Sequence, residues 1–276
     1  MYRDSGTNAL RFRDEHAAYV GRGRQEPSQP AATGNEPTKM PVADRRGRVM
    51  QPRFLGRLGV ADTVTATNAA IGFAAAATAA IDPGLAARLI LLAAIADGLD
   101  GVVARRLGGT DVGPLLDSLA DVASFGVAPA VLVYTVASNG DAASISTPIA
   151  LAALAASALY VAMAVIRLAI YTLEDSNRAE TVGVQTTLSA TLVSVTYLAG
   201  IGEPAVLVAL VAACSYLMVA PVSYPDLYAR DAAILGGLQA LAVAFPVAFN
   251  RVLPRSLLVF AVGYLVLAPV AYWRAA

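Results

Sequence analysis

The stretch DGLDGVVARRLGGTDVGPLLDSLAD, residues 97–121, carries five aspartates and two arginines in the middle of a markedly apolar chain of 276 residues. Its spacing predicts two helices joined by the short turn GGTDVGP. On the first, Asp97 and Asp100 are three apart and share a face, with Arg105 close to that face; on the second, Asp117 and Asp121 are four apart. A turn this short makes the helices antiparallel neighbours and can bring both carboxylate pairs together.

The surroundings make such a cluster costly. Hydrophobic residues are 57% of the chain, charged residues 14%, and the mean hydropathy is +0.60, values that belong to a membrane protein rather than a water-soluble domain. Twenty basic and twenty acidic residues cancel, so the chain has no polyanion-binding signature and nucleic acid is not an expected partner. Cys214 is the single cysteine and His16 the single histidine, far from the apolar region. That excludes an internal disulfide, a thiolate or imidazole metal cage and a Ser/His triad; a general base in the membrane part must be a carboxylate, a tyrosine or water.

Residues 1–50 are polar, rich in Gly, Pro, Gln and Arg, and lack hydrophobic periodicity. They read as a disordered extension, with Met50 as an alternative start. Apolar runs of spanning length follow: Asp62 to Ile81, Gly84 to Leu107, Pro114 to Ala137, Thr147 to Tyr171, Gly183 to Gly202, Pro204 to Val222, Asp231 to Phe249 and Arg255 to Trp273. The expected fold is all-α, a polytopic transmembrane helix bundle with a six-helix core in residues 51–228 and two further helices in 229–276. With the first helix running outward, Arg53, Arg57, Arg105, Arg106, Arg178, Arg230 and Arg274 fall on the cytoplasmic side. Arg88, Arg251 and Arg255 fall outside. The expected location is the cell membrane, multi-pass, with the aspartates facing the cytoplasm.

Four carboxylates meeting at a membrane boundary need compensation, because each costs about 2.5–3.5 kcal/mol at a helix centre and the four repel one another. Divalent cations supply it, and an all-oxygen donor set suits Mg²⁺ or Mn²⁺ shared with substrate phosphates. Gly98, Gly101 and Ala104 leave the helix surface bare for a bulky ligand, and Arg105 offers a fork for phosphate oxygens. Spacing alone thus points to a metal-bound phosphorylated ligand approached from the cytoplasm. Helix-packing glycines and a solvated acidic face are the structural alternatives.

The pattern Asp97-x-x-Asp100-Gly101-x-x-Ala104-Arg105, followed by Gly113-x-x-x-Asp117-x-x-x-Asp121, resembles the signature of the CDP-alcohol phosphotransferases, membrane enzymes of phospholipid synthesis. Seven residues separate Arg105 from Gly113 where that family usually has eight. The deletion falls in the turn and shortens it without rotating either carboxylate pair. The resemblance implies a CDP-lipid whose diphosphate is held by metal, an alcohol that attacks the lipid-side phosphate, and CMP as leaving group. It also implies that Asp97, Asp100, Asp117 and Asp121 are metal ligands, that Asp121 is the base, and that Gly101, Ala104, Arg105 and Gly113 take the CDP-lipid.

Three further stretches, TNAAIGF at 67–73, SLADVASFGVAPA at 118–130 and YLMVAPVSYPDL at 216–227, resemble the serine-using branch of the family, the integral-membrane phosphatidylserine synthases. The resemblance then implies L-serine as acceptor, with Arg167, Ser124 and Asn68 as acceptor-site candidates. For Asn68 and Ser124 the alternative is helix-to-helix hydrogen bonding; for Arg167, anchoring a helix end. GVQTTLSATLV at 183–193 departs from the Gly-x-Pro-x-Pro-like sequence of that branch, which points to a divergent subgroup and leaves an archaeol lipid open beside diacylglycerol. Glycerol 3-phosphate or an inositol phosphate as acceptor, a divalent-cation transporter, and a homodimer also stay open.

Overall fold

The computed structural model describes residues 58–140, 147–175, 180–225 and 229–271. The expectations for residues 1–50, for Met50 and for Arg53, Arg57, Arg178 and Arg274 lie outside the described residues.

Eight helical rods account for nearly all of the described chain: α1 (Val60–Thr78), α2 (Pro83–Leu107), α3 (Gly113–Ala137), α4 (Pro148–Ile170), α5 (Thr186–Leu198), α6 (Pro204–Met218), α7 (Ala229–Ala244) and α8 (Ala248–Ala271). Their starts follow local chemistry. Pro stands at the first or second position of α2, α3, α4 and α6, where its missing N–H costs nothing. The Asp82 side chain caps α2 by accepting from Leu85 N, and Thr147 caps α4 by accepting from Ala150 N. Arg105 and Arg106 occupy the last turn of α2, where cations complement the helix dipole.

Three rods are long and apolar enough to cross a membrane: Gly113–Ala137, Pro148–Leu173 and Ala248–Pro269. The sequence reading gave all eight that role, and the differences have physical causes. Helix α2 has 25 residues but carries Arg88, Asp97, Asp100, Arg105 and Arg106. Helix α5 has 13 residues, about 20 Å of rise against a hydrocarbon core of about 30 Å. It is sheathed by other helices instead, and even its hydroxyl side chains Thr186, Ser189, Thr191, Ser194 and Thr196 are buried.

Within α3 the residues Val122–Val127 form a π-helical segment. Its wider turn buries three consecutive residues, Ser124, Phe125 and Gly126, against α1 and α4. Tyr160 of α4 donates to the Phe125 carbonyl (3.0 Å), and Ser157 donates to that of Ala130 (3.0 Å). Helix α4 likewise ends in a π-helical turn, Tyr171–Asp175.

One departure from an all-helical chain is a two-stranded antiparallel ribbon, β1 (Glu180–Val182) with β2 (Ser223–Pro225), in which Thr181 pairs with Tyr224. Its second strand begins just beyond the expected sixth span, and α6 itself stops at Met218, four residues short of Val222. Gly183 follows β1 at φ +79, and a Cβ there would run into the Met218 carbonyl; only glycine lets the chain turn against the end of α6. Helix α8 begins seven residues before Arg255, but Phe249, Asn250 and Arg251 hold left-handed backbone (φ 50, 55 and 61), and regular helix resumes after them.

In the larger core cluster Ala75, Ala86, Ala87, Ile90 and Leu91 of α1 and α2 meet Phe125, Leu132 and Val133 of α3, Tyr160 of α4 and Val193 of α5; a smaller one joins Val184, Tyr224 and Ala268 beside the ribbon. Alanine-rich faces on α1 and α2 let these two helices pack along their length. That register sets the aspartates of α2 beside the polar side chains of α1.

Candidate active site

Asp97 and Asp100 lie in the second half of α2, and Asp117 and Asp121 on α3 across the turn. The short connection folds the two helices back on one another, and carboxylate oxygens of Asp97, Asp117 and Asp121 come within 4.8 Å of one another. Asp100 is close enough for its charge to bear on all three. Both Asp100 and Asp121 are buried, 6% and 7% exposed.

Helix α1 supplies support that the sequence reading did not identify. Thr65 Oγ1 lies 2.7 Å from Asp100 Oδ2 and 3.2 Å from the Ala61 carbonyl, so its single proton goes to the nearer, charged acceptor. Asp62 accepts from Gly59 N (2.7 Å) and from Thr110 Oγ1 (2.8 Å), which ties the α2–α3 turn to the start of α1. From α5, Thr187 Oγ1 reaches Asp97 Oδ2 at 3.5 Å. The signal was present as a stripe: Asp62, Thr65 and Asn68 repeat every three residues along α1.

Beside the carboxylates is a cavity of about 310 Å³ whose lining includes Asp100, Gly101, Ala104, Gly113 and Asp117. Residues proposed from the sequence as metal- and CDP-lipid-binding thus share one pocket. Arg105 is exposed at its edge and folds back over Gly101, its Nη1 3.5 Å from where a Gly101 Cβ would stand. A Cβ on Gly98 would meet nothing within 4 Å, so this side of α2 is open. Ser118 and Thr172, which also line the cavity, share a short hydrogen bond that links α3 to the end of α4.

The three acceptor-site candidates fall differently. Arg167 of α4 is buried, its guanidinium carbon 5.6 Å from the centre of the Tyr171 ring, and its charge bears on Asp121. Ser124 is fully buried and donates to the Asn68 carbonyl at 2.9 Å. Here α1 and α3 nearly touch: a Cβ on Gly72 would stand 2.6 Å from Ser124 Cα. The Asn68 side chain, also fully buried, has no hydrogen-bond partner for either polar atom among the described residues. Ser124 thus bonds across the helix crossing, and the Asn68 carboxamide is left with its bonding capacity unspent among the described residues.

The donor set fits a hard divalent cation. It consists of carboxylates only, and Asp121 Oδ1 is buried without a hydrogen-bond partner among the described residues. An orphaned buried carboxylate oxygen beside two more carboxylates is expensive unless a cation joins them.

A carboxylate-gathering helix pair beside a cavity floored by small residues is an arrangement suited to holding a phosphorylated ligand through a divalent cation. The family model for CDP-alcohol phosphatidyltransferase matches residues 58–222, more than half of the chain, and this protein belongs to that transferase family. The archaetidylserine synthase of Methanothermobacter thermautotrophicus is 31% identical over 173 residues, covering 61% of this chain and 70% of the relative. Two proteins named CDP-diacylglycerol–serine O-phosphatidyltransferase match over shorter stretches. That of Mycobacterium leprae is 58% identical over 53 residues (19% of this chain, 18% of the relative), and that of Methanocaldococcus jannaschii is 60% identical over 47 residues (17% and 23%).

Proposed function

We propose that this enzyme transfers the phosphatidyl or archaetidyl group of a CDP-lipid to L-serine and releases CMP. The observation that carries the proposal is the meeting of Asp97, Asp117 and Asp121 beside a cavity lined by Asp100, Gly101, Ala104 and Gly113. Relatives named for serine transfer support the acceptor.

The roles follow from position. Gly101 and Ala104 let the nucleotide diphosphate approach the α2 backbone, and Arg105, at the cavity edge, offers its fork to phosphate oxygens. Asp97, Asp100, Asp117 and Asp121 would hold Mg²⁺ or Mn²⁺, which when bound supplies charge neutralisation on the diphosphate. Asp121 takes the proton of the serine hydroxyl as its oxygen bonds to the lipid-side phosphorus; the phosphorus–oxygen bond to CMP breaks, and CMP leaves with that electron pair. Arg167, whose charge bears on Asp121, pairs with the serine carboxylate, which sets the hydroxyl beside its base. A zwitterion asks for one cation, whereas a phosphorylated acceptor asks for more. The catalytic core is the six-helix unit α1–α6, with the carboxylate end toward the cytoplasm.

The test is CMP release by membranes supplied with CDP-diacylglycerol or CDP-archaeol, a divalent cation, and one alcohol at a time. Serine should drive release, and Arg167→Ala should raise the serine requirement more than the CDP-lipid requirement. Release driven by glycerol 3-phosphate or an inositol phosphate, with serine inert, would overturn the acceptor and leave the family untouched.

A further inference from the structure

At the end of the bundle opposite the carboxylates, the α1–α2 turn, the α5–α6 connection and the α7–α8 turn enclose a second cavity of about 420 Å³, whose lining includes Asp82, Arg88, Tyr197 and Arg251. Arg88 precedes Asp100 on α2 by about 18 Å of helix rise, so this cavity is separate from the candidate active site. We propose that it binds the phosphate group of a membrane phospholipid between Arg88 and Arg251.

Both guanidinium groups are already held in place. Arg88 Nε donates to the Val243 carbonyl (2.8 Å), and Arg251 Nη1 donates to that of Leu198 (3.0 Å). Each bond engages one of five N–H groups, and neither arginine makes an ion pair with a described residue. The acid in the lining, Asp82, has one carboxylate oxygen occupied by Leu85 N at the start of α2 (2.9 Å). Two anchored forks with spare donors, two positive charges against the one carboxylate in the lining, suit a phosphodiester, which guanidinium groups bind bidentately. The left-handed run Phe249–Arg251 costs backbone strain, and it turns Arg251 back over the end of α5, its Cδ 3.5 Å from where a Gly200 Cβ would stand.

The surroundings select a lipid over a free anion. Ile81, Val247 and Phe249, all from the turns that form the cavity, are 85%, 69% and 83% exposed. At a membrane boundary such side chains lie against acyl chains, so a phosphate between the arginines has apolar surface beside it for the rest of a lipid.

Native mass spectrometry of the full chain extracted from membranes tests this. The Arg88→Gln/Arg251→Gln double variant should retain one phospholipid fewer than the wild type and bind added phosphatidylglycerol at least tenfold more weakly. Arg255→Gln is the control: Arg255 Nε makes a similar carbonyl bond, to Ala199 (3.3 Å), but does not line the cavity, so this variant should bind as the wild type does. A photoreactive phosphatidylglycerol should label residues 81–88 and 246–251. Equal retention by the double variant, equal loss in Arg255→Gln, displacement of the lipid by inorganic phosphate alone, or labelling confined to the carboxylate end would each overturn the proposal.

Discussion

Replacing Thr65 with valine keeps the shape of the side chain and deletes its hydroxyl, which makes it a clean probe of how α1 acts on the carboxylates. Thr65 is 5% exposed and Asp100 6%, and both line the cavity beside the carboxylates, so water there can replace the lost donor only in part and without its fixed position. The 2.7 Å bond is to a charged acceptor, a class whose net worth is about 1.5–3 kcal/mol, or about 10- to 150-fold at 1.36 kcal/mol per decade. Loss of a hydrogen bond that orients a metal ligand costs about 10- to 100-fold in metal affinity or activity, so the two routes agree. Thr65→Val should therefore raise the divalent-cation concentration needed for half-maximal CMP release by about one to two orders of magnitude, with a smaller change at saturating cation. Thr63→Val, which removes an exposed bond to the Gly59 carbonyl (3.3 Å), should leave that requirement unchanged. A Thr65→Val enzyme with the wild-type cation requirement would refute the claim that α1 positions Asp100.

Other expectations concern the carboxylates themselves and the helix crossing beneath them. Asp97→Asn and Asp117→Asn should each raise the cation requirement for CDP-lipid binding, and chelation should abolish turnover; full activity in either variant would exclude that residue as a ligand. Asp121→Asn should lower turnover by about 10²–10⁴-fold, the worth of a general base, in a CMP-release assay at saturating cation and CDP-lipid. Gly72→Val puts side-chain atoms where Ser124 backbone stands, and should destabilise the detergent-solubilised protein by about 1–3 kcal/mol; an unshifted thermal midpoint would contradict the close crossing.

How much of this was legible in the sequence depends on whether the determinant is local. The aspartate pairs were, because a helix repeats every 3.6 residues and the turn between the two helices is too short for any arrangement but an antiparallel pair. The helical rods were legible for the same reason, with ends misplaced where tertiary contacts decide. The ribbon of Glu180–Val182 with Ser223–Pro225 has three residues per strand and no alternation to announce it; it exists because the ends of α4 and α6 converge. The π-helical segment at Val122–Val127 depends on the near contact of Ser124 with Gly72, 52 positions away in the chain. Thr65 was visible on the polar stripe of α1, but nothing local says that its partner is Asp100 rather than another hydroxyl or a substrate. For Ser124 the sequence left an acceptor site and a helix-to-helix hydrogen bond open, because a buried serine looks the same in both until its partner, here the Asn68 carbonyl, is known.

The arginines sharpen the orientation proposed for the bundle. Counted as bare charges, Arg88, Arg251 and Arg255 oppose a cytoplasmic carboxylate end, because all three lie at the other end. Their guanidinium groups, however, bond the carbonyls of Val243, Leu198 and Ala199, at or near the C-terminal ends of α7 and α5, where backbone acceptors lack helical partners and the dipole is negative. Arg88 and Arg251 are half-buried and held within the fold, whereas Arg255 stays exposed. Exposed Arg105 and Arg106 lie in the last turn of α2, at the carboxylate end, and exposed Arg230 opens α7 a few residues beyond the ribbon. Among the described residues the exposed arginines are then Arg105, Arg106 and Arg230 at the carboxylate end against Arg255 at the other, the bias that the proposed cytoplasmic carboxylate end requires.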